Sequence, residues 1–171
     1  IVPLLLQGQA WPPMDTADSL DLVTIYYYTG GNNWTNKTNW LTGPVSTWQG
    51  VTLVISENGV GDYIYKVEQL NLFNNNLTGQ LPEFGLSRAT VLDFGFNHLV
   101  GSMPSMSTSY NIQTLYLDGN NLNSFGSFSW PFSLENLYVN NNRFTGSVPA
   151  FYAPNLNTFY AQNNAFTEIL F

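Results

Sequence analysis

Cysteine is absent from the 171 residues, so the chain has no disulfide framework, no thiolate nucleophile and no Cys-based zinc site. Cations are almost as scarce. Lys and Arg together number 4 against 11 acidic residues, a formal net charge of -7. A row of phosphates could not be neutralised by so few bases, which excludes nucleic acid as a partner and disfavours anionic membrane surfaces. Charged residues of all kinds are 9% of the chain, against roughly 25% in ordinary soluble domains. Solubility therefore rests on Asn, Ser, Thr and Gln, a profile suited to a wet extracellular surface. No apolar run approaches the ~20 residues that cross a bilayer; the strongest is Ile1 to Leu6. It is followed by Gly8-Gln9-Ala10 and Trp11-Pro12-Pro13, which resemble the end of a secretory leader.

Reaction chemistry is short of parts as well. His98 is the sole imidazole, and no Ser stands in a motif that would tie it to a base. Glu68 and Asp93 fall on neighbouring segments, as acidic residues will on a chain this acidic. Asp118-Gly119-Asn120-Asn121 has a calcium-like composition without EF-hand spacing. No catalytic residue, metal ligand or cofactor is assigned, and the chain is not expected to be an enzyme.

What the chain does contain is self-similarity. Leu70-Asn71-Leu72, Leu92-Asp93-Phe94, Leu115-Tyr116-Leu117, Leu137-Tyr138-Val139 and Phe159-Tyr160-Ala161 recur at spacings of 22, 23, 22 and 22 residues. Each triplet is followed by an Asn, giving the column Asn75, Asn97, Asn120, Asn142 and Asn164, and then by Leu77, Leu99, Leu122, Phe144 or Phe166. Another mostly apolar position precedes each triplet: Val67, Ala89, Ile112, Leu134 and Leu156. This is the leucine-rich repeat pattern, met five times in register.

In such a coil the two apolar residues of each triplet point inward from a short strand, and the residue between them faces solvent. One coil cannot bury its own apolar side; stacked coils bury each other's and need caps at the ends. The Asn column falls where the backbone leaves the strand, so its amides are expected to satisfy polar groups of adjacent coils. Thr78-Gly79, Val100-Gly101 and Thr145-Gly146, each with a Pro following, bend the chain onto its return path. The third repeat departs from this. Asn123-Ser124-Phe125 replaces the glycine step within the aromatic run Phe125, Phe128, Trp130 and Phe132, which reads as an irregular bulge or an aromatic contact patch.

Ahead of the repeats, Asp18-Ser19 can open a helix, Leu22, Ile25 and Tyr26 share one face, and Gly30-Gly31 stop it. The stretch Asp21 to Trp34 (DLVTIYYYTGGNNW), Asn39-Trp40-Leu41, Trp48-Gln49-Gly50-Val51 and the Leu-x-Gly-x-Leu-Pro steps resemble the plant-class leucine-rich repeat proteins. That class includes receptor-kinase ectodomains, polygalacturonase-inhibitor-like proteins and surface proteins of microbes. Its plant members usually carry two cysteines flanking the Trp-x-Gly-Val segment; Ser46 and Leu53 occupy those places here, as in cysteine-free microbial or algal forms. The resemblance implies an α/β solenoid: a right-handed leucine-rich repeat coil with a concave parallel β-sheet, an N-terminal helical cap and a non-catalytic role. The expected organisation is an apolar arm over residues 1–14, a cap over 15–66 and five repeats over 67–171.

Outward strand positions then define the exposed face. Tyr116, Tyr138 and Tyr160 fall in one column beside Asp118, Asn140 and Gln162, with Asn71, Asp93 and Asn136 nearby. Flat rings next to amides and carboxylates suit a sugar or an extended polar peptide, so these nine residues are the candidate ligand face, with protein, peptide or glycan as partner. The leading expectation is an extracellular recognition or adhesion module, secreted or at the cell surface. A second is a structural subunit joined head to tail into a fibre through the apolar ends Ile1, Val2, Leu4, Leu5, Leu6 and Ile169, Leu170, Phe171, unless a further segment supplies the missing cap. A third is ice binding by regular Asn/Thr columns. Asn33, Asn36 and Asn76 head N-x-[ST] triplets and are candidate glycan acceptors, although composition alone produces about as many.

Overall fold

The computed structural model describes residues 12–104, 106, 109–126, 131–148 and 154–169. Among the described residues one α-helix, α1 (Thr16–Tyr28), precedes eleven strands. The six-stranded sheet contains β1 (Val51–Glu57), β2 (Tyr63–Asn71), β4 (Val91–Asp93), β6 (Thr114–Tyr116), β8 (Asn136–Tyr138) and β10 (Thr158–Tyr160), in that spatial order. From β2 onward the pairing is parallel, and Leu70, Leu92, Leu115, Leu137 and Phe159 lie in one register. On the return side, β3 (Thr78–Gly79), β5 (His98–Ser102) and β7 (Asn121–Ser124) form a second parallel sheet, and β9 (Thr145–Val148) pairs with β11 (Ala165–Ile169). The molecule is a leucine-rich repeat coil, as the 22-residue period requires.

The inward positions stack into a continuous core. Leu70, Leu92, Leu115 and Leu137 are fully buried, as are Leu77, Leu99, Leu122 and Phe144 one step further along each coil. Each contributes about 1.5–3 kcal/mol by leaving water. The Asn column closes the backbone between coils. Asn97 donates to the Leu72, Phe94 and Gly95 carbonyls and accepts from the Asn75 and Leu77 N–H groups. Asn120, Asn142 and Asn164 repeat the scheme, accepting from Leu99, Leu122 and Phe144. These amides are structural, since their polar atoms are consumed within the coil.

The third repeat is not an aromatic contact patch at Phe125. That ring is buried and stacks on Phe144 at 4.7 Å and on Phe166 at 5.9 Å, extending the core where the glycine step is missing. Phe132 is exposed, while Phe128 and Trp130 lie outside the described residues.

The helix begins earlier than Asp18-Ser19. Asp15 is the N-cap, its carboxylate accepting the Asp18 N–H at 3.0 Å, because an N-cap oxygen reaches the third N–H of the first turn. Asp18 and Ser19 are instead buried within the helix. Asp18 accepts the Val67 N–H at 2.7 Å and Asp21 accepts the Gly85 N–H at 2.7 Å, so the lid is tied to the first coil through carboxylates. Leu22, Ile25 and Tyr26 face the core as expected. At the other end Gly30 takes a left-handed conformation, φ 70°.

With no disulfide, the cap is held by rings. Trp40 lies 4.8 Å from Trp34, 4.9 Å from Trp48 and 5.8 Å from Tyr26. The three indole N–H groups donate to the carbonyls of Thr29, Gln49 and Gly43, which removes the cost of burying them. Gly31 lies so close to the Tyr26 ring that a Cβ there would overlap it at 2.3 Å.

Candidate functional site

The open face of the six-stranded sheet is built from positions that alternate with the core leucines, so its content follows from the register. The middle column reads Asn71, Asp93, Tyr116, Tyr138 and Tyr160. Parallel in-register pairing places the three phenol rings one above another: Tyr116 and Tyr138 are 4.5 Å apart at 15°, and Tyr138 and Tyr160 are 5.3 Å apart at 21°. Tyr160 has about half of its surface open to solvent, and Tyr116 and Tyr138 are half-buried. Burial, together with the neighbouring Tyr138 and Asp93, holds the Tyr116 phenol above its ordinary pKa.

Asn136 donates to the Thr114 hydroxyl at 3.2 Å, and the Asn71 carboxamide accepts the Phe73 N–H at 3.1 Å. The Asn140 and Gln162 carbonyls accept the Gly119 and Asn141 N–H groups, leaving Gln162 exposed on the face and Asn140 half-buried. The nine residues read from the sequence thus fall along one face, in order.

The acids of this face have drawn together. Asp93 accepts the Gly95 N–H at 2.9 Å. A Cβ added at Gly95 would stand 3.1 Å from a carboxylate oxygen of Asp118, 3.2 Å from one of Asp93 and 3.4 Å from the Phe73 ring. Gly95 therefore floors a notch into which both carboxylates lean. Burial raises the pKa of each, and Asp118 adds to the rise at Asp93 by its charge. Among the described residues the one ion pair is Lys66 with Asp15, at 3.1 Å, on the cap side. Nothing described on this face neutralises the two acids.

Beside the notch stands a feature absent from the candidate residues. The position before each structural Asn is left-handed in four coils where it is not glycine, and it holds Asn74, Phe96, Asn141 and Asn163; Gly119 takes the same conformation in the remaining one. Asn and Gly tolerate such angles; a phenylalanine pays about 1–2 kcal/mol. Phe96 nevertheless sits there at φ 54°, half exposed, with its ring over Gly119 and 5.3 Å from the half-exposed Phe73 ring. The departure from Asn or Gly at residue 96 was visible in the repeat alignment; the pairing with Phe73 required the register of side chains across coils. A depression of about 590 Å³ continues from Phe73 toward the cap, lined by Gln49, Gln69, Asn71 and Asn74 among others.

Of the candidate glycan acceptors, Asn33, Asn36 and Asn76 are all exposed. The Asn36 carboxamide accepts from the N–H and hydroxyl of Thr38, and Asn76 donates to the Asn33 carbonyl at 2.9 Å. The candidate assembly residues Ile1, Val2, Leu4, Leu5, Leu6, Leu170 and Phe171 lie outside the described residues; the Ile169 backbone pairs with Val148 in β11. His98 is exposed. Among the described residues no three His, Cys, Asp or Glu side chains cluster as a metal site, and no helix is long and apolar enough to cross a membrane.

A Leucine Rich Repeat family profile matches residues 66–85 and 133–153. The chain is similar in fold to three solved structures, the first two from Arabidopsis thaliana. The ectodomain of the receptor kinase SOBIR1 is 21% identical, with 91% of this chain and 71% of that chain covered and a TM-score of 0.57. The BIR3–SERK2 complex is 20% identical over 89% of this chain and 83% of that one, with a TM-score of 0.61. The PEPR1–AtPEP1 structure is 19% identical over 89% of this chain but only 25% of that one, with a TM-score of 0.53. No curated protein sequence matches the chain.

Proposed function

We propose that this leucine-rich repeat coil is a non-catalytic extracellular recognition module that binds a glycan or an extended peptide on its open sheet face. The observation that carries the reading is the three-ring stack of Tyr116, Tyr138 and Tyr160. Stacked phenols cover apolar C–H surface or peptide side chains, and the flanking Asn136, Asn140, Gln162, Asp93 and Asp118 pair with hydroxyls or main chain. In this reading residues 15–66 serve as the cap and the coils after them as the binding surface. Six strands at ~4.8 Å give a face ~25 Å long, and with about three exposed residues per strand it offers roughly several hundred Å², less than the ~800 Å² a standard protein partner covers, so a slender ligand fits it best. That two of the similar folds were solved in complexes, BIR3 with SERK2 and PEPR1 with AtPEP1, is in keeping with a binding role.

The test is a glycan array and a displayed peptide library probed with the native chain and with the Tyr116→Ala/Tyr138→Ala variant. Ligands captured by the native chain should be lost by the variant at unchanged melting temperature. Full retention by the variant would remove this face from consideration.

A further inference from the structure

We infer that the Phe73/Phe96 step and the notch at Gly95 form a subsite for the arginine side chain of an extended peptide. This deepens the recognition reading above and rests on it for the peptide backbone lying along the sheet.

The chain exposes an apolar surface here that costs the fold stability. Phe96 holds a backbone conformation that its equivalents in other coils leave to Asn or Gly, and it presents a half-exposed ring there. Strain of this kind persists only where surrounding contacts hold it, and it clusters at ligand-binding sites. Its neighbour Phe73 is also half exposed, and the two rings at 5.3 Å make one aromatic step at the margin of the sheet.

Charge then decides what lies on that step. Next to it, Asp93 and Asp118 lean over the same glycine, their oxygens 3.2 and 3.1 Å from the point a Cβ would occupy. Among the described residues neither acid is in an ion pair: the one such pair is Lys66 with Asp15, while Arg88 donates to Ser56 and Lys37 to the Asn32 carbonyl. Two acids held close without a base, in a chain of net charge -7, call for a cation brought by the partner. A guanidinium fits both halves of the site at once. Its planar face stacks on phenylalanine while its forked N–H groups reach two carboxylate oxygens. A neutral sugar answers the carboxylates with hydroxyl donors alone and leaves their charge uncompensated, so a cationic peptide is favoured over a glycan at this position.

Gly95 completes the site by what it omits. The same column carries Phe73, Asp118, Asn140 and Gln162 in the other coils, and any of those side chains at residue 95 would fill the notch. Its φ is not in the left-handed region, so backbone geometry alone does not demand glycine here.

The experiment selects a displayed random dodecapeptide library on the native chain, then measures binding of the recovered peptides by calorimetry to three variants: Asp93→Asn with Asp118→Asn, Gly95→Ala, and Tyr138→Ala. Each variant is first matched to the native chain by circular dichroism and melting. The expected result is that recovered peptides share an arginine, that replacing it with glutamine weakens binding about tenfold or more, and that the Asp and Gly95 variants lose the same factor. Peptides recovered without a shared arginine would overturn the inference, as would arginine peptides indifferent to the Asp and Gly95 variants. Dependence on Tyr138 alone leaves the recognition reading standing and the arginine subsite refuted. Dependence on Asp93, Asp118 and Gly95 but not on Tyr138 upholds the subsite and refutes the tyrosine face.

Discussion

Gly50 lies directly against the backbone of Asn71: its carbonyl accepts the Asn71 N–H at 2.8 Å, and a Cβ on it would stand 2.0 Å from the Asn71 carbonyl oxygen. The contact joins the start of β1 to the end of β2, and so sets the antiparallel strand that closes the sheet at the cap. Gly50 also has φ 84°, a conformation that L-residues avoid.

Gly50→Ala should therefore destabilise the chain by about 3 kcal/mol or more, combining a left-handed backbone with a steric clash that only strand separation relieves. Urea denaturation followed by circular dichroism measures it. A loss below about 1 kcal/mol would mean that the two strands separate easily and that Gly50 does not set their spacing.

Asn120→Ala strips one rung from the polar column. It removes the acceptor for the Leu99 N–H and the donor to the Phe94, Leu117 and Asp118 carbonyls, all within the coil. A cost of about 1–3 kcal/mol is expected for the stranded groups. Hydrogen exchange localises the effect: the Leu99 amide should exchange faster in the variant, while amides of α1 keep their protection.

Asp18 gives the cap a pH dependence. Burial outweighs both the Val67 N–H bond and the nearby Lys66, raising its pKa from 3.8 to about 6. The folded state therefore holds the proton more tightly than the unfolded chain, and stability from this group is complete below about pH 4 and declines as pH rises through 6. Asp18→Asn should flatten that decline and gain at most about 3 kcal/mol at pH 7. Burial moves Asp21, Asp93 and Asp118 the same way, so a residual slope of the same sign should persist in the variant. Melting temperatures of both chains between pH 4 and 8 provide the check, and identical slopes would refute the assignment to Asp18.

Phe96→Asn exchanges an aromatic ring for the residue that three equivalent coils use at the same backbone angles. Relief of the left-handed strain should raise stability by about 0.5–1 kcal/mol, after the lost contact with Phe73 is deducted. Destabilisation instead, read from the urea midpoint, would show that the Phe73 and Gly119 contacts outweigh the strain.

The coil itself was legible because the repeats state the same physics five times: an apolar pair for the interior, a middle residue for the surface, an Asn for the corner. The Tyr116, Tyr138 and Tyr160 column followed from period and parallel register alone. Other features depend on neighbours that a local pattern does not name. The helix start at Asp15 was hidden because Asp18 is an equally good cap by type, and only its bond to Val67, distant in sequence, assigns it to the interior. Phe125 left both an irregular bulge and a contact patch open because the glycine step was missing; its stacking on Phe144 and Phe166 shows the core filling that gap. Asp93 and Asp118 face one another only because Gly95 carries no side chain between them, a relation that emerges when coils are laid side by side.

Three of the five tryptophans, Trp34, Trp40 and Trp48, share one cluster in the cap, whereas the stacked phenols belong to the opposite stretch of the coil. The two chromophores therefore act as separate spectroscopic beacons. Indole emission is weighted toward the lid, and the coupled ellipticity of the three parallel phenols, an arrangement the edge-to-face Tyr26 and Tyr27 do not share, reports the later rungs, so a single denaturation followed at both signals reveals whether the chain melts as one unit or frays from one end.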